Sequence, residues 1–533
     1  MLSLRSKHLA LTHPTMNSFA MTRNIFALIT LQCASILLKL SQTRGLLKSL
    51  VSQKLKKQQV GKDRMVEIKK FYQASEPNRA LRVENPEDHK YYIDFSSVRG
   101  GEIISEIKDN IIVFSDDRSC ALFTGHIGCG KSTELFRLKK DLEEEGFHVV
   151  YFESSENLEL TDVDIIDVML AIAQQVTHSL AQLKVEEPKT LNRLLRGVAK
   201  VLQTEIELSA EGEIPGIGKV TASTEGKISA EVNVPFAGKI NASNQEGFSL
   251  VASGIGKITA KAKDDSKLRA KLSEYLGPQK TELLKAINEE LLEPAIAKLK
   301  QEGKKGLVVI VDNLDRLDNR PKSFGTPQQE YLFVVQGEYL NKLGCHLVYT
   351  MPLALKFSNE YGNLTQRFDD DPKVLPMVRV KLQDGTDCQQ GINLLREMVL
   401  ARAFPDLNGN QRLEKIGEVF DIPDSLDRLC RVSGGHVRDL LRLLNTWIKK
   451  GRNLPLLRAT LEEVIRDRRN EMTISISDDE WELLRQVKQN KKVSGDKGYQ
   501  ILIRSRFVFE YRANGELWFD VNPILVEAQE LQP

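Results

Sequence analysis

Between an apolar run at Cys120–Thr124 and an amphipathic stretch that begins at Lys131, the chain reads Gly125-His126-Ile127-Gly128-Cys129-Gly130-Lys131-Ser132. No other feature limits the fold as much. The run satisfies GxxxxGK[ST] at every fixed position, and average residue usage predicts only about 0.02 such matches by chance in a chain this long. The glycines let backbone N–H groups turn inward around phosphate oxygens, and the N-terminus of the following helix adds positive potential. In that setting Lys131 bridges the β- and γ-phosphates of a nucleoside triphosphate. The Ser132 hydroxyl ligates Mg²⁺, and Thr133 lies near the α-phosphate.

A phosphate loop needs a second metal carboxylate at the end of a neighbouring strand. Leu307-Val308-Val309-Ile310-Val311 followed by Asp312 supplies it, since an acid ending an apolar strand is costly unless a partner such as Mg²⁺ offsets it. Asp315 and Arg316 follow. Further apolar strands are expected at His148–Phe152, His346–Thr350 and Val374–Val380, alternating with helices over 131–145 and 164–182. This order predicts an α/β fold, a P-loop parallel sheet covered by helices. Residues 387–470 are nearly all helical, a lid. The tail predicts two helices and a hairpin turning at Asn514-Gly515, a winged-helix arrangement.

These readings divide the 533 residues into a basic extension over 1–64, a P-loop ATPase domain over 65–383, a helical lid over 384–472 and a winged-helix-like domain over 473–533. Eleven Lys/Arg against the single acid Asp63 give the extension +10. The whole-chain charge of +2 then leaves −8 for the body, which disfavours a general nucleic-acid binder. Three readings of the extension stay open: a targeting peptide, a membrane-surface anchor, or a stretch upstream of a true start at Met65. Its longest apolar stretch, Ile25 to Leu38, falls short of the roughly 20 residues of a spanning helix. The six cysteines show no zinc spacing, and buried thiols in a reducing, cytoplasmic compartment are expected. Residues 206–263, rich in Gly, Ala and Ser, repeat a Gly-Lys-Val/Ile motif four times. They predict β-hairpins on an insertion or a low-complexity segment.

At this point the chain resembles AAA+/STAND-type P-loop ATPases, with KAP-like and origin-initiator-like motifs, over roughly residues 90–530. GHIGCGKSTEL is similar to their Walker A and VVIVDNLDR to their Walker B. The resemblance implies ATP and Mg²⁺ as cofactors and assigns further roles. Val98 and Arg99, in Val98-Arg99-Gly100-Gly101-Glu102, would cup adenine, with Gly-Gly departing from the family's Gly-Arg order. Thr350 would be sensor 1, Arg367 an arginine finger, and Arg438, within Gly434-Gly435-His436-Val437-Arg438, sensor 2. Asn313 stands where an acid often follows the Walker B aspartate. Either Asp315 orients the attacking water or hydrolysis is slow; Asp315 could equally cap a helix or pair with Arg316.

The expected function is an ATP-binding, ATP-hydrolysing switch whose nucleotide state controls conformation or assembly, with a second copy or another protein as partner. Two alternatives are a nucleotide-binding interaction module with little hydrolysis and a DNA-directed ATPase acting through the winged helix. Residues 474–533 carry eight Lys/Arg against ten acids, which favours a protein partner over nucleic acid.

Overall fold

The computed structural model describes residues 68–182, 188–209, 248–368 and 370–532. The chain divides into two units, Met1–Lys70 and Phe71–Pro533. Only residues 68–70 of the first are described, so the expectation for residues 1–64 lies outside the described residues, as does that for 210–247. Among the described residues no helix is long and apolar enough to cross a membrane.

Five strands form one parallel sheet: β1 (Cys120–Gly125), β2 (His148–Glu153), β3 (Leu307–Asp312), β4 (His346–Met351) and β5 (Lys373–Leu375), in the order β2-β3-β4-β1-β5. The expected strand over 374–380 is thus paired only at its start. Beyond Leu375 the extended chain bonds elsewhere: Met377 N–H donates to Glu510 O (3.1 Å) and Arg379 N–H to Val98 O (3.2 Å).

β3 is buried at every position because both faces of the sheet are covered. Side chains alternate across it. Val309 and Val311 join Leu122, Leu347 and Tyr349 beneath helix Ile165–Ser179. Val308 and Ile310 join Phe123, Val348 and the buried Leu135, Leu138 and Leu142 of the P-loop helix, Lys131–Glu144, on the opposite face.

Helix Ile165–Ser179 starts with a capping box made by Asp164 and Asp167. Along it lies helix Phe248–Asp264, where hairpins were expected. The last of the four Gly-Lys repeats, Gly256–Ala260, is therefore helical. Ile255, Ile258 and Ala262 fall at helical spacing and are buried, while Thr259 Oγ1 donates to Gln174 Oε1 (3.0 Å). A Cβ on Gly256 would stand 3.0 Å from Gln174 Nε2, so the small residues serve close helix packing rather than turns.

Residues 389–473 are helical apart from short connections. Gly434 and Gly435, both at positive φ, turn helix Pro423–Val432 into helix Val437–Gly451. A Cβ on Gly435 would lie 1.7 Å from Val378 O, so only glycine fits. The C-terminal region comprises helices Asp478–Asn490 and Lys497–Arg504 and an antiparallel hairpin, β6 (Val508–Ala513) and β7 (Glu516–Val521). Asn514 and Gly515 both take positive φ, the conformation that a tight hairpin turn requires. Phe509, Tyr511 and Trp518 of this hairpin complete the core beside β1 and the P-loop helix.

Candidate active site

Parallel strands deliver their C-terminal ends to one edge of the sheet, where α/β folds bind ligands. Here that edge carries the Gly125–Lys131 loop after β1, Glu153 after β2 and Asp312 after β3, with Glu153 directly opposite Asp312 in the register. A cavity of about 210 Å³ opens there. Six cations line it (Arg79, Arg99, Lys131, Arg316, Arg402 and Arg438) against four acids (Glu134, Glu153, Asp312 and Asp315). That excess suits a net anionic magnesium nucleotide. Leu81, Tyr91, Ile93, Met398 and Leu441 also line it and give apolar surface suited to a base.

Gly128 and Gly130 hold φ of 95° and 112°, so the loop curls as a phosphate cradle requires. Lys131 is buried inside the curl. Its Nζ donates to Gly125 O (2.9 Å) and His126 O (3.0 Å), and pairs with Asp315 Oδ2 at 2.9 Å. Burial works against its charge, but the Asp315 carboxylate outweighs this and holds the lysine above its usual pKa. Asp315 Oδ1 is buried and accepts no hydrogen bond among the described residues. Its ion-pair partner is thus Lys131, not Arg316.

Asp312 Oδ2 accepts from the Tyr151 hydroxyl (2.8 Å) and Oδ1 from Asn313 N–H (2.6 Å), and Ser132 lines the same cavity. Burial and then the nearby Asp315 charge push this carboxyl above its usual range. Two acids close together in a buried site are the environment that a cation relieves. Ser132 and Asp312 offer oxygen donors that fit Mg²⁺ and would hold it there.

Thr133 lines the cavity and its Oγ1 accepts from Leu81 N–H (3.2 Å), fixing a segment that gives part of this apolar surface. Cys129 and Ile127 line it with their backbone neighbours. Arg99 lies over the Phe95 ring and donates to Cys129 O (2.6 Å), which braces the loop from outside. Arg438 reaches the cavity from helix Val437–Gly451, and its N–H donates to Gly128 O (3.1 Å). Burial, then Arg316 and Arg506, lower its pKa, so an anion between these arginines would be favoured.

Five expected residues lie elsewhere; Gly125 meets Lys131 through its carbonyl but does not line the cavity. Val98 is fully buried in the core. Thr350 Oγ1 accepts from Leu314 N–H (3.0 Å) and donates to Val311 O (3.4 Å), pinning the turn after β3. Arg367 is exposed on helix Tyr361–Phe368. His126 faces away from the cavity: its Nε2 accepts from Glu510 N–H (3.2 Å) and its ring meets Phe509 edge-on. Burial, then His436 and Lys131, keep His126 well below the usual histidine range. His436 Nε2 donates to Ile127 O (2.9 Å) and stacks on Phe509. The loop is thereby clamped between the helical region and the C-terminal hairpin.

Sequence reasoning missed Glu153, Tyr151, Arg316 and Arg402. Glu153 carried a usable signal, because His-Val-Val-Tyr-Phe-Glu is an apolar strand ending in an acid, as β3 is. Arg402, drawn down to about 10 by burial, carried none.

No protein-family model matches this sequence, and no curated protein matches it. Solved structures similar to it include the ORC2 protein of Aeropyrum pernix in ADPNP and ADP complexes (TM-score 0.34, 11% identity, 80% of this chain and 90% of that one). Cdc6p of Pyrobaculum aerophilum gives 0.32 and 10%, over 83% and 96%. A Walker-type ATPase of Pyrococcus abyssi gives 0.29 and 12%, over 82% and 98%. Likenesses this distant say nothing of function. The chain's own topology shows a P-loop α/β fold, a five-stranded parallel sheet followed by a helical region.

Proposed function

We propose that the chain is an ATP-binding, ATP-hydrolysing switch of the AAA+/STAND type. One observation carries this reading: Lys131, Ser132 and Asp312 converge on one cavity at the C-terminal edge of the sheet, whose lining also gives apolar surface suited to a base. Bound there, Mg²⁺ would neutralise charge on the β- and γ-phosphates. Lys131 would exchange its Asp315 partner for phosphate oxygens, and Arg438 and Arg316 would meet the distal phosphate.

The loop contacts explain how occupancy would be relayed. Movement at Gly125 and His126 reaches Glu510 through the His126 hydrogen bond, and movement at Ile127 reaches His436. Both contacts join the loop to parts of the chain that can repack. Exposed Arg367 suits action on a second copy rather than in its own site. The DNA-directed alternative is disfavoured by the acidic balance of residues 474–533, although helix Lys497–Arg504 exposes Lys497, Ile501 and Arg504.

Titration with a fluorescent ATP analogue and Mg²⁺ tests the reading. Lys131→Ala removes the cation that follows charge on the transferring phosphoryl group, and binding or turnover should fall sharply. Unchanged titration would overturn the proposal.

A further inference from the structure

Three acids stand near the place where the γ-phosphate would lie, and their partners separate their roles. Asp312 accepts one bond on each oxygen, from Tyr151 and from Asn313 N–H, which orients it and leaves lone pairs for a metal. Asp315 is committed to Lys131. Glu153 differs: Oε2 accepts from Asn313 Nδ2 at 2.6 Å, while Oε1 accepts no hydrogen bond from the described residues. It is half-buried, lines the same cavity and sits one strand over from Asp312. The two residues are register partners on neighbouring strands, whose backbones run about 4.8 Å apart, and both side chains line the cavity.

We infer that Glu153, supplied by β2, is the catalytic carboxylate of ATP hydrolysis, and that Asn313 is its positioning residue. The inference rests on the ATP reading above. Asn313 takes a φ of 66°, a left-handed conformation that asparagine tolerates better than glutamate. Its amide cannot accept a water proton at neutral pH, but it can donate, and the donation goes to one oxygen of Glu153. The other oxygen is left as an acceptor. In the reaction, the oxygen of a water held by Oε1 bonds to the γ-phosphorus. The bond from that phosphorus to the β–γ bridging oxygen breaks, and its electron pair leaves with ADP. The water proton passes to Glu153 and then to solvent, which leaves inorganic phosphate and restores the carboxylate.

The test compares the full chain with Glu153→Gln and Asn313→Ala in three measurements: affinity for a fluorescent ATP analogue with Mg²⁺, phosphate release at saturating ATP, and chromatography of the bound nucleotide. Glu153→Gln keeps the shape of the side chain and should bind ATP within about threefold of the parent. Its phosphate release should fall roughly 10²–10⁴-fold, and the bound nucleotide should remain ATP rather than ADP. Asn313→Ala should lower turnover with affinity retained, because Glu153 loses its orientation. Parental turnover in Glu153→Gln, with ATP bound, overturns the assignment alone. A parent chain that binds no ATP overturns both this assignment and the nucleotide reading.

Discussion

Replacing Asp315 by Asn should weaken the nucleotide-free protein and tighten ATP binding. Among the described residues Asp315 is the only carboxylate paired with buried Lys131, whose other two bonds go to backbone carbonyls. Removing one partner of a buried ion pair typically costs about 3–5 kcal/mol. Asparagine keeps the volume and an acceptor oxygen, so about 2 kcal/mol is expected here. For a unit this large that loss lowers the melting temperature by about 2–4 °C. When ATP is bound, phosphate oxygens take over as the counter-charge and most of the loss disappears. By the thermodynamic cycle the difference returns as affinity, roughly 10- to 30-fold. Thermal melts of parent and variant, with and without saturating Mg²⁺ and ATP, measure the first part; analogue titration measures the second. A melting gap that persists with nucleotide, or weaker ATP binding, would show that phosphate does not replace Asp315 as the partner of Lys131. Unchanged affinity with turnover slowed 10²–10⁴-fold would instead make Asp315 the water-orienting acid.

Asp312→Asn should reduce the benefit of Mg²⁺ to nucleotide binding by roughly 10- to 100-fold, read from titrations with and without the metal. Gly435→Ala would force a Cβ to within 1.7 Å of Val378 O at a φ of 75°, and should cost about 3 kcal/mol in a denaturant melt. Acidification should destabilise the fold. Burial holds His126, His346 and His436 below the usual histidine range, His346 at about 4. The unfolded chain therefore takes up protons first as the pH falls below about 6.5, and stability present at pH 7 is lost toward pH 5. Melting temperatures that stay flat between pH 7 and 5 would contradict this.

The features legible from residue order alone are local ones. The P-loop spans consecutive residues, and its strand and helix follow from apolar spacing within a few turns on either side. The same holds for β3, a continuous apolar run, and for the hairpin, whose Asn514-Gly515 turn needs positive φ at both positions. Locality also set the limit. The repeat at Gly256–Ala260 looked like turns because its small residues carry weak propensity, and burial against Gln174 and its helix decided for a helix. Asp315 was readable as an acid near the site, but its pairing with Lys131 needed the register of β1, β3 and β4 to bring the two loops together. Glu153 and Asn313 are 160 residues apart in the chain. Only the pairing of β2 with β3 makes them neighbours, because hydrogen bonds between strands do not depend on separation along the chain.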